Sequence, residues 1–266
     1  MNHIEDGIVA AADAQSLGGK APEYYLQPRN LLDNSDFTNP VNQRGQTDYT
    51  SNGYTIDRWE LYFGAVGVSS LGYITTSGQM YQKIAIPTDK LYTFAIENDA
   101  GIAVVTGIPA NGIHSATLGN ALIKLATIGE YVEVVIEPSE GYNIACAYWA
   151  ALYEGSYTAD TLPPYVPKGY AAELAECQRY FRKTVLHGVA ETAKYIAPAN
   201  TFEPPFRIVP TITADTIFGA PGVGGPSASN ISFIVYNDFV QEIVDNNSGL
   251  TPGVLYRLYI TASADL

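Results

Sequence analysis

Residues 142–155 read YNIACAYWAALYEG, and residues 157–170 read YTADTLPPYVPKGY. From Cys146 to Leu152 the first stretch is apolar almost without interruption, the pattern of a central strand buried on both faces. Pro163, Pro164 and Pro167 then remove ladder donors and end the sheet to which that strand belongs. These two stretches make the first half of the chain β and place its boundary.

Upstream, YTIDRWELYFG (54–64) sets Tyr54, Ile56 and Arg58 on one face and Thr55, Asp57 and Trp59 on the other. QMYQKIAIP (79–87) alternates Met80, Gln82, Ile84 and Ile86 against Tyr81, Lys83 and Ala85. LYTFAIEND (91–99), GIAVVTGI (101–108) and YVEVVIE (131–137) are strand-length too, and turns separate them as in a β-sandwich. Downstream, AAELAECQRYFRK (171–183) predicts a helix near 170–182. Leu174, Cys177 and Phe181 share its apolar face, with acidic residues early and Arg or Lys late. ETAKYIAP (191–198), PFRIVPTITADTIF (205–218), ISFIVYNDF (231–239) and VLYRLYITASADL (254–266) return to strands, and APGVGGPSASN (220–230) reads as a long turn. The last strand alternates Val254, Tyr256, Leu258 and Ile260 against Leu255, Arg257, Tyr259 and Thr261, which pins the chain end into a sheet.

The expected fold is mainly β: a jelly-roll-like β-sandwich plus a smaller C-terminal β domain, joined by one short helix. The expected boundaries are 1–28 for an N-terminal attachment arm or linker, 29–167 for the sandwich, and 168–266 for the helix with a C-terminal β-sandwich domain. The arm, rich in small residues, reads either as an extended or partly helical segment needing a partner surface or as a disordered terminus.

Composition agrees and narrows the function classes. Of 266 residues, 20 are Tyr, 24 Gly and 16 Pro, against 2 Met, as suits short strands between turns. Lys+Arg 14 against Asp+Glu 27 gives a net charge of −13. That balance argues against a nucleic-acid groove and against adsorption to anionic lipid. No apolar run is long enough for membrane insertion, and the acidic start MNHIEDGIVA lacks the basic end of a signal peptide. Charged residues are only 15%, so either identical neighbours cover part of the surface or Ser, Thr, Asn and Gln supply its polarity.

Candidate chemistry is sparse. His3, His114 and His187 lie in unrelated contexts, and the Gly-rich GAPGVGGPSAS has no Lys-Ser/Thr after it. Asp57 with Glu60, or Glu154 with Asp160, are the carboxylate pairs a glycan hydrolase would need, beside the simpler reading as solvated acids. The loop carrying Asp33, Asn34, Asp36 and Asn39 offers hard oxygen ligands, so Asp33 and Asp36 are candidate Ca²⁺ ligands. Without EF-hand spacing, the same residues read as turn formers. No other cofactor is implied. Sugar rings stack on aromatic faces, which brings in Tyr54, Trp59, Tyr62 and Trp149. The two Trp residues read as core; Tyr49, Tyr73 and Tyr236, in loop-like sequence, are the candidate glycan contacts. Cys146 and Cys177 read as small buried hydrophobes and not as a disulfide.

Several segments together resemble one family. DAQSLGGKAPEYYL (13–26) resembles the linker of bacteriophage tail-fibre proteins. NLLDNSDFTNPVNQRG (30–45) with YTIDRW (54–59) resembles the opening of a phage and prophage β-sandwich module often compared with carbohydrate-binding jelly rolls. ELAECQRYF (173–181) resembles the C-Q-R-Y-Y/F motif of the same class, and Pro205–Thr213 resembles the strand that follows it; the ending Ala264, Asp265, Leu266 departs from the usual close. The resemblance implies a virion-associated fibre, spike or receptor-binding protein, usually a homotrimer. Residues 1–28 would attach to other virion proteins and the outer domains would meet a host cell-surface glycan, with no enzymatic activity. A purely structural virion component (head fibre, collar or decoration protein) and a glycan depolymerase are the alternatives. The motifs name no catalytic residue.

Overall fold

The computed structural model describes residues 28–198, 201–219, 224–236 and 238–264. The N-terminal arm except Pro28, His3, and residues 220–223 of the long turn lie outside them.

Before the prolines the chain forms β1 (Asp48–Tyr49), β2 (Gly53–Tyr54), β3 (Glu60–Leu61), β4 (Val66–Ser69), β5 (Tyr73–Thr76), β6 (Met80–Ile84), β7 (Tyr92–Asn98), β8 (Gly101–Gly107), β9 (His114–Leu118), β10 (Ala121–Ile128), β11 (Tyr131–Pro138), β12 (Ala145–Ala147) and β13 (Trp149–Glu154). One layer is the antiparallel sheet β2-β3-β6-β11-β10-β9; the other comprises β1-β4-β5-β12 and β13-β7-β8. β12 and β13 are one stretch that changes partner at Tyr148, from β5 to β7, and so links the two smaller sheets. Ile123 and Leu125 of β10 and Val132, Val134 and Ile136 of β11 share a core with Ile74, Phe94, Ile96 and Leu152 of the opposite layer. The result is a jelly-roll-like sandwich.

The continuous apolar run of β13 has the expected cause. Ala150 and Leu152 face the inter-sheet core, while Trp149, Ala151 and Tyr153 face a second cluster outside the sheet. The Pro-rich return supplies that second cover, through Tyr157, Leu162 and Tyr165. Tyr165 stacks on Trp149 with ring centroids 4.7 Å apart and planes 3° apart, and the Trp149 Nε1–H donates to Glu97 Oε2 at 2.6 Å. Each large side chain buried this way stabilises the fold by about 1.5–3 kcal/mol.

After the prolines come α1 (Tyr170–Cys177), β14 (Phe181–Ala190), β15 (Tyr195–Pro198), β16 (Thr211–Phe218), β17 (Ile231–Val235), β18 (Val240–Asp245) and β19 (Leu255–Ser263). The six strands form one antiparallel sheet, β16-β19-β14-β15-β18-β17. Its core gathers Leu186, Ile196, Ile243, Tyr256, Leu258 and Ile260, and Phe202 and Phe206 close it from a connecting loop. β19 lies between β14 and β16, so this last described strand is held on both sides.

The helix is shorter than its sequence pattern. It ends at Cys177, and Phe181 already belongs to β14. Its buried residues are Glu173 and Cys177, one helical turn apart, so the apolar face drawn through Leu174 and Phe181 is corrected. Arg179 and Arg182 fall beyond the helix, but the Arg182 guanidinium donates to the carbonyl of Gln178, which caps its C-terminal end, at 3.3 Å.

Candidate functional site

Two stretches far apart in sequence, 30–59 and 173–181, meet in space. Asn34, with φ of 51° in the left-handed region that Asn tolerates, is the hub. Its Nδ2 donates to the carbonyls of Val41 and Asp57, both at 2.8 Å, and its Oδ1 accepts the Val41 N–H at 2.7 Å. Its own backbone N–H donates to Glu173 Oε2 at 2.8 Å. The Trp59 Nε1–H donates to the Asn34 carbonyl at 2.9 Å. Around this hub, Asp33 pairs with Arg58 at 3.2 Å and Lys168 at 3.5 Å, and Lys168 reaches Glu176 at 2.6 Å. The Arg58 guanidinium lies 3.5 Å from the Tyr180 ring centre, and Gln43 Nε2 donates to the Phe181 carbonyl at 2.8 Å. Burial pushes the Cys177 thiol far above its ordinary range, so it stays protonated and inert. The arrangement clamps α1 and the start of β14 onto the opening loop of the sandwich.

The sequence-selected residues do not assemble into one centre. Tyr49 is buried at 5% exposure, contrary to its loop-like context, because β1 pairs with β4 and the phenol donates to Asn42 Oδ1 at 2.5 Å. Tyr73 begins β5, at the end of that sheet away from Tyr49, with its ring edge toward Tyr148 at 5.9 Å. Tyr236 is in the C-terminal domain, 47% exposed and stacked on Phe239 at 4.8 Å. Asp33 faces two cations, and Asp36 Oδ1 accepts from the Thr38 N–H at 3.1 Å and Oγ1–H at 2.5 Å, a local turn. Among the described residues no group of three or more His, Cys, Asp or Glu side chains gathers as a metal site.

The acids of the carboxylate pairs lie in different surroundings. Asp57 is buried against Arg44 at 2.9 Å and accepts both the backbone and side-chain N–H of Gln43 at 3.1 Å. Glu60 accepts the Tyr81 phenol at 2.7 Å and pairs with Lys83 at 3.3 Å. Tyr81 stacks on Tyr62 at 3.8 Å, and Tyr62 donates to Glu133 at 2.7 Å. Burial and these carboxylates raise both phenols well above the ordinary tyrosine value. Glu154 pairs with Lys90 on the surface at 2.8 Å, and Asp160 lies in an exposed turn. Trp59 and Trp149 are core, and both cysteines are free and buried.

One recess carries a distinct chemistry. It measures about 270 Å³ and lies where the loop after Arg44 meets Lys183 of β14; Tyr49, Tyr54, Ser51 and Asn52 also line it. No Asp or Glu does.

Comparison with protein-family models, curated proteins and solved structures found no match.

The remaining surface of note is the outer face of the C-terminal sheet. Phe218, Val189, Leu255 and Tyr259 are exposed by 54%, 47%, 45% and 45%. They are neighbours in register: Val189 opposes Leu255, Phe218 opposes Arg257, and Arg257 opposes His187. The Phe218 and Tyr259 rings meet edge to face at 5.8 Å. Arg257 makes no ion pair among the described residues. On the other half of the sheet Ile234 opposes Glu242, which is likewise unpaired among the described residues. The sequence marks only the part of this face on β19, through Leu255, Arg257 and Tyr259; strand register brings Val189 and Phe218 beside it from strands far apart in the chain.

Proposed function

We propose that the chain is a virion-associated fibre or spike protein that works as a homotrimer. Its N-terminal arm, residues 1–28, attaches it to other particle proteins, and its β domains recognise a host-surface glycan without breaking bonds in it. The observation that carries this reading is the exposed aromatic and aliphatic outer face of the C-terminal sheet. Contiguous apolar surface of this kind, centred on aromatics and an unpaired Arg, is what an interface between chains uses. Arg257 on one half of the sheet and Glu242 on the other carry opposite charges, a pair that a head-to-tail ring of identical copies can bring together.

Adhesion fits the same arrangement. Three copies in one assembly multiply weak contacts through effective concentration, so millimolar single sites suffice. The acids sit with cations, phenols and backbone donors, which favours binding over hydrolysis. No helix among the described residues is long and apolar enough to cross a membrane.

A glycan array probed with the full chain, together with host adsorption by particles lacking it, tests the recognition half. Binding to a defined glycan class and loss of adsorption are expected. No binding and unchanged adsorption would leave only the structural role within the particle.

A further inference from the structure

We propose that the recess between Arg44 and Lys183 binds the carboxylate-bearing unit of an acidic glycan, such as a hexuronate or a sialic acid; this rests on the glycan-recognition reading above. The chain has 27 acidic and 14 basic residues, yet two cations converge here in a lining without a single carboxylate. A carboxylate entering it meets positive charge in a molecule whose surroundings are mostly negative.

The two cations are held differently, and together they define the ligand's charge. Arg44 is fixed: Asp57, 1% exposed, receives Nη1–H at 2.9 Å, and the guanidinium lies 3.8 Å from the Phe181 ring centre and 5.0 Å from that of Tyr54. Asp57 offsets the Arg44 charge from behind. Lys183 is exposed and has no partner among the described residues, so it leaves the recess with about one uncompensated positive charge. One negative group on the ligand matches that.

The rest of the lining suits a sugar ring. Tyr54 offers an aromatic face, and Thr50, Ser51 and Asn52 offer hydroxyl and amide groups to ring hydroxyls. A volume of about 270 Å³ lies just under the range of about 300–1,000 Å³ for drug-sized ligands and holds one monosaccharide unit with the chain continuing into solvent. The site is composite, with Arg44 from the sandwich and Lys183 from the C-terminal sheet. The clamp at Gln43 and Phe181 sets their separation.

Titration calorimetry on the full chain tests this with methyl β-D-glucuronide and methyl α-sialoside, against methyl β-D-glucoside and acetate as controls. At least one acidic glycoside is expected to bind about tenfold or more tightly than either control, and Lys183→Gln to weaken it about tenfold, the loss of one charge-assisted hydrogen bond. Lys183 is exposed, so the variant should keep the wild-type melting temperature, which shows that any loss is local. Equal binding of the neutral glucoside, equal binding of acetate, no binding of either acidic glycoside, or unchanged affinity in Lys183→Gln would each overturn the assignment. Array binding confined to neutral glycans would overturn it while leaving the adhesion reading intact.

Discussion

The carboxylate of Glu173 accepts the backbone N–H of Asn34 at 2.8 Å, across 139 positions of sequence, with both residues buried. Through this bond the helix after the proline break is seated on the first loop of the sandwich. Residues around 34–58 and 173–181 thereby form a clamp between the sandwich and the C-terminal sheet.

Glu173→Ala should cost about 1–3 kcal/mol in urea unfolding, because it leaves the Asn34 N–H buried without an acceptor. Glu173→Gln should recover part of that loss, since the amide oxygen accepts the same bond. Equal stability of all three proteins would mean the clamp is not stabilising.

Asp33 gives the clamp an acid limb. Burial opposes its charge, but Arg58 and Lys168 outweigh that and hold the carboxyl below its ordinary value of 3.8. A folded pKa below the unfolded one contributes stability that is present above the unfolded value and lost as pH falls through the folded value. Wild type should therefore be more stable than Asp33→Asn at pH 7, and the gap should close below about pH 4. Parallel stability curves from neutral to acid pH would show that the pairing contributes nothing.

The two-sided burial of β13 makes its neighbours equally intolerant. Leu152→Ala, on the inner face, should lose about 2–5 kcal/mol. Ala151→Leu, on the outer face under Tyr157 and Tyr165, should lose about 1–3 kcal/mol through overpacking. A neutral Ala151→Leu in thermal unfolding would place that face in solvent.

What was legible in the sequence was what local periodicity encodes. β6, β7, β8, β11, β13 and β19 each follow a strand-length apolar pattern, and the last sandwich strand ends at Glu154, ahead of the Pro163–Pro167 stretch. β1, with Tyr49, was hidden because a two-residue strand has no period, and so its burial could not be read. β10 (ALIKLATI) does alternate, with Ile123 and Leu125 buried around a partly exposed Lys124, but its residues favour helix as much as strand. The burial of Glu173 is not legible locally, because it depends on a backbone N–H elsewhere in the chain, at Asn34, that needs an acceptor. The recess was invisible for the same reason: Arg44 and Lys183 are brought together only by the clamp.

The solution mass of the purified full chain tests the account most directly. Light scattering at micromolar concentration should give a trimer of about 86 kDa, three times the 28.7 kDa chain. Tyr259→Glu, which puts a charge in the exposed apolar face, should shift the mass to that of one chain without lowering helix or strand content. A wild-type protein that stays a single 28.7 kDa chain would contradict the proposal.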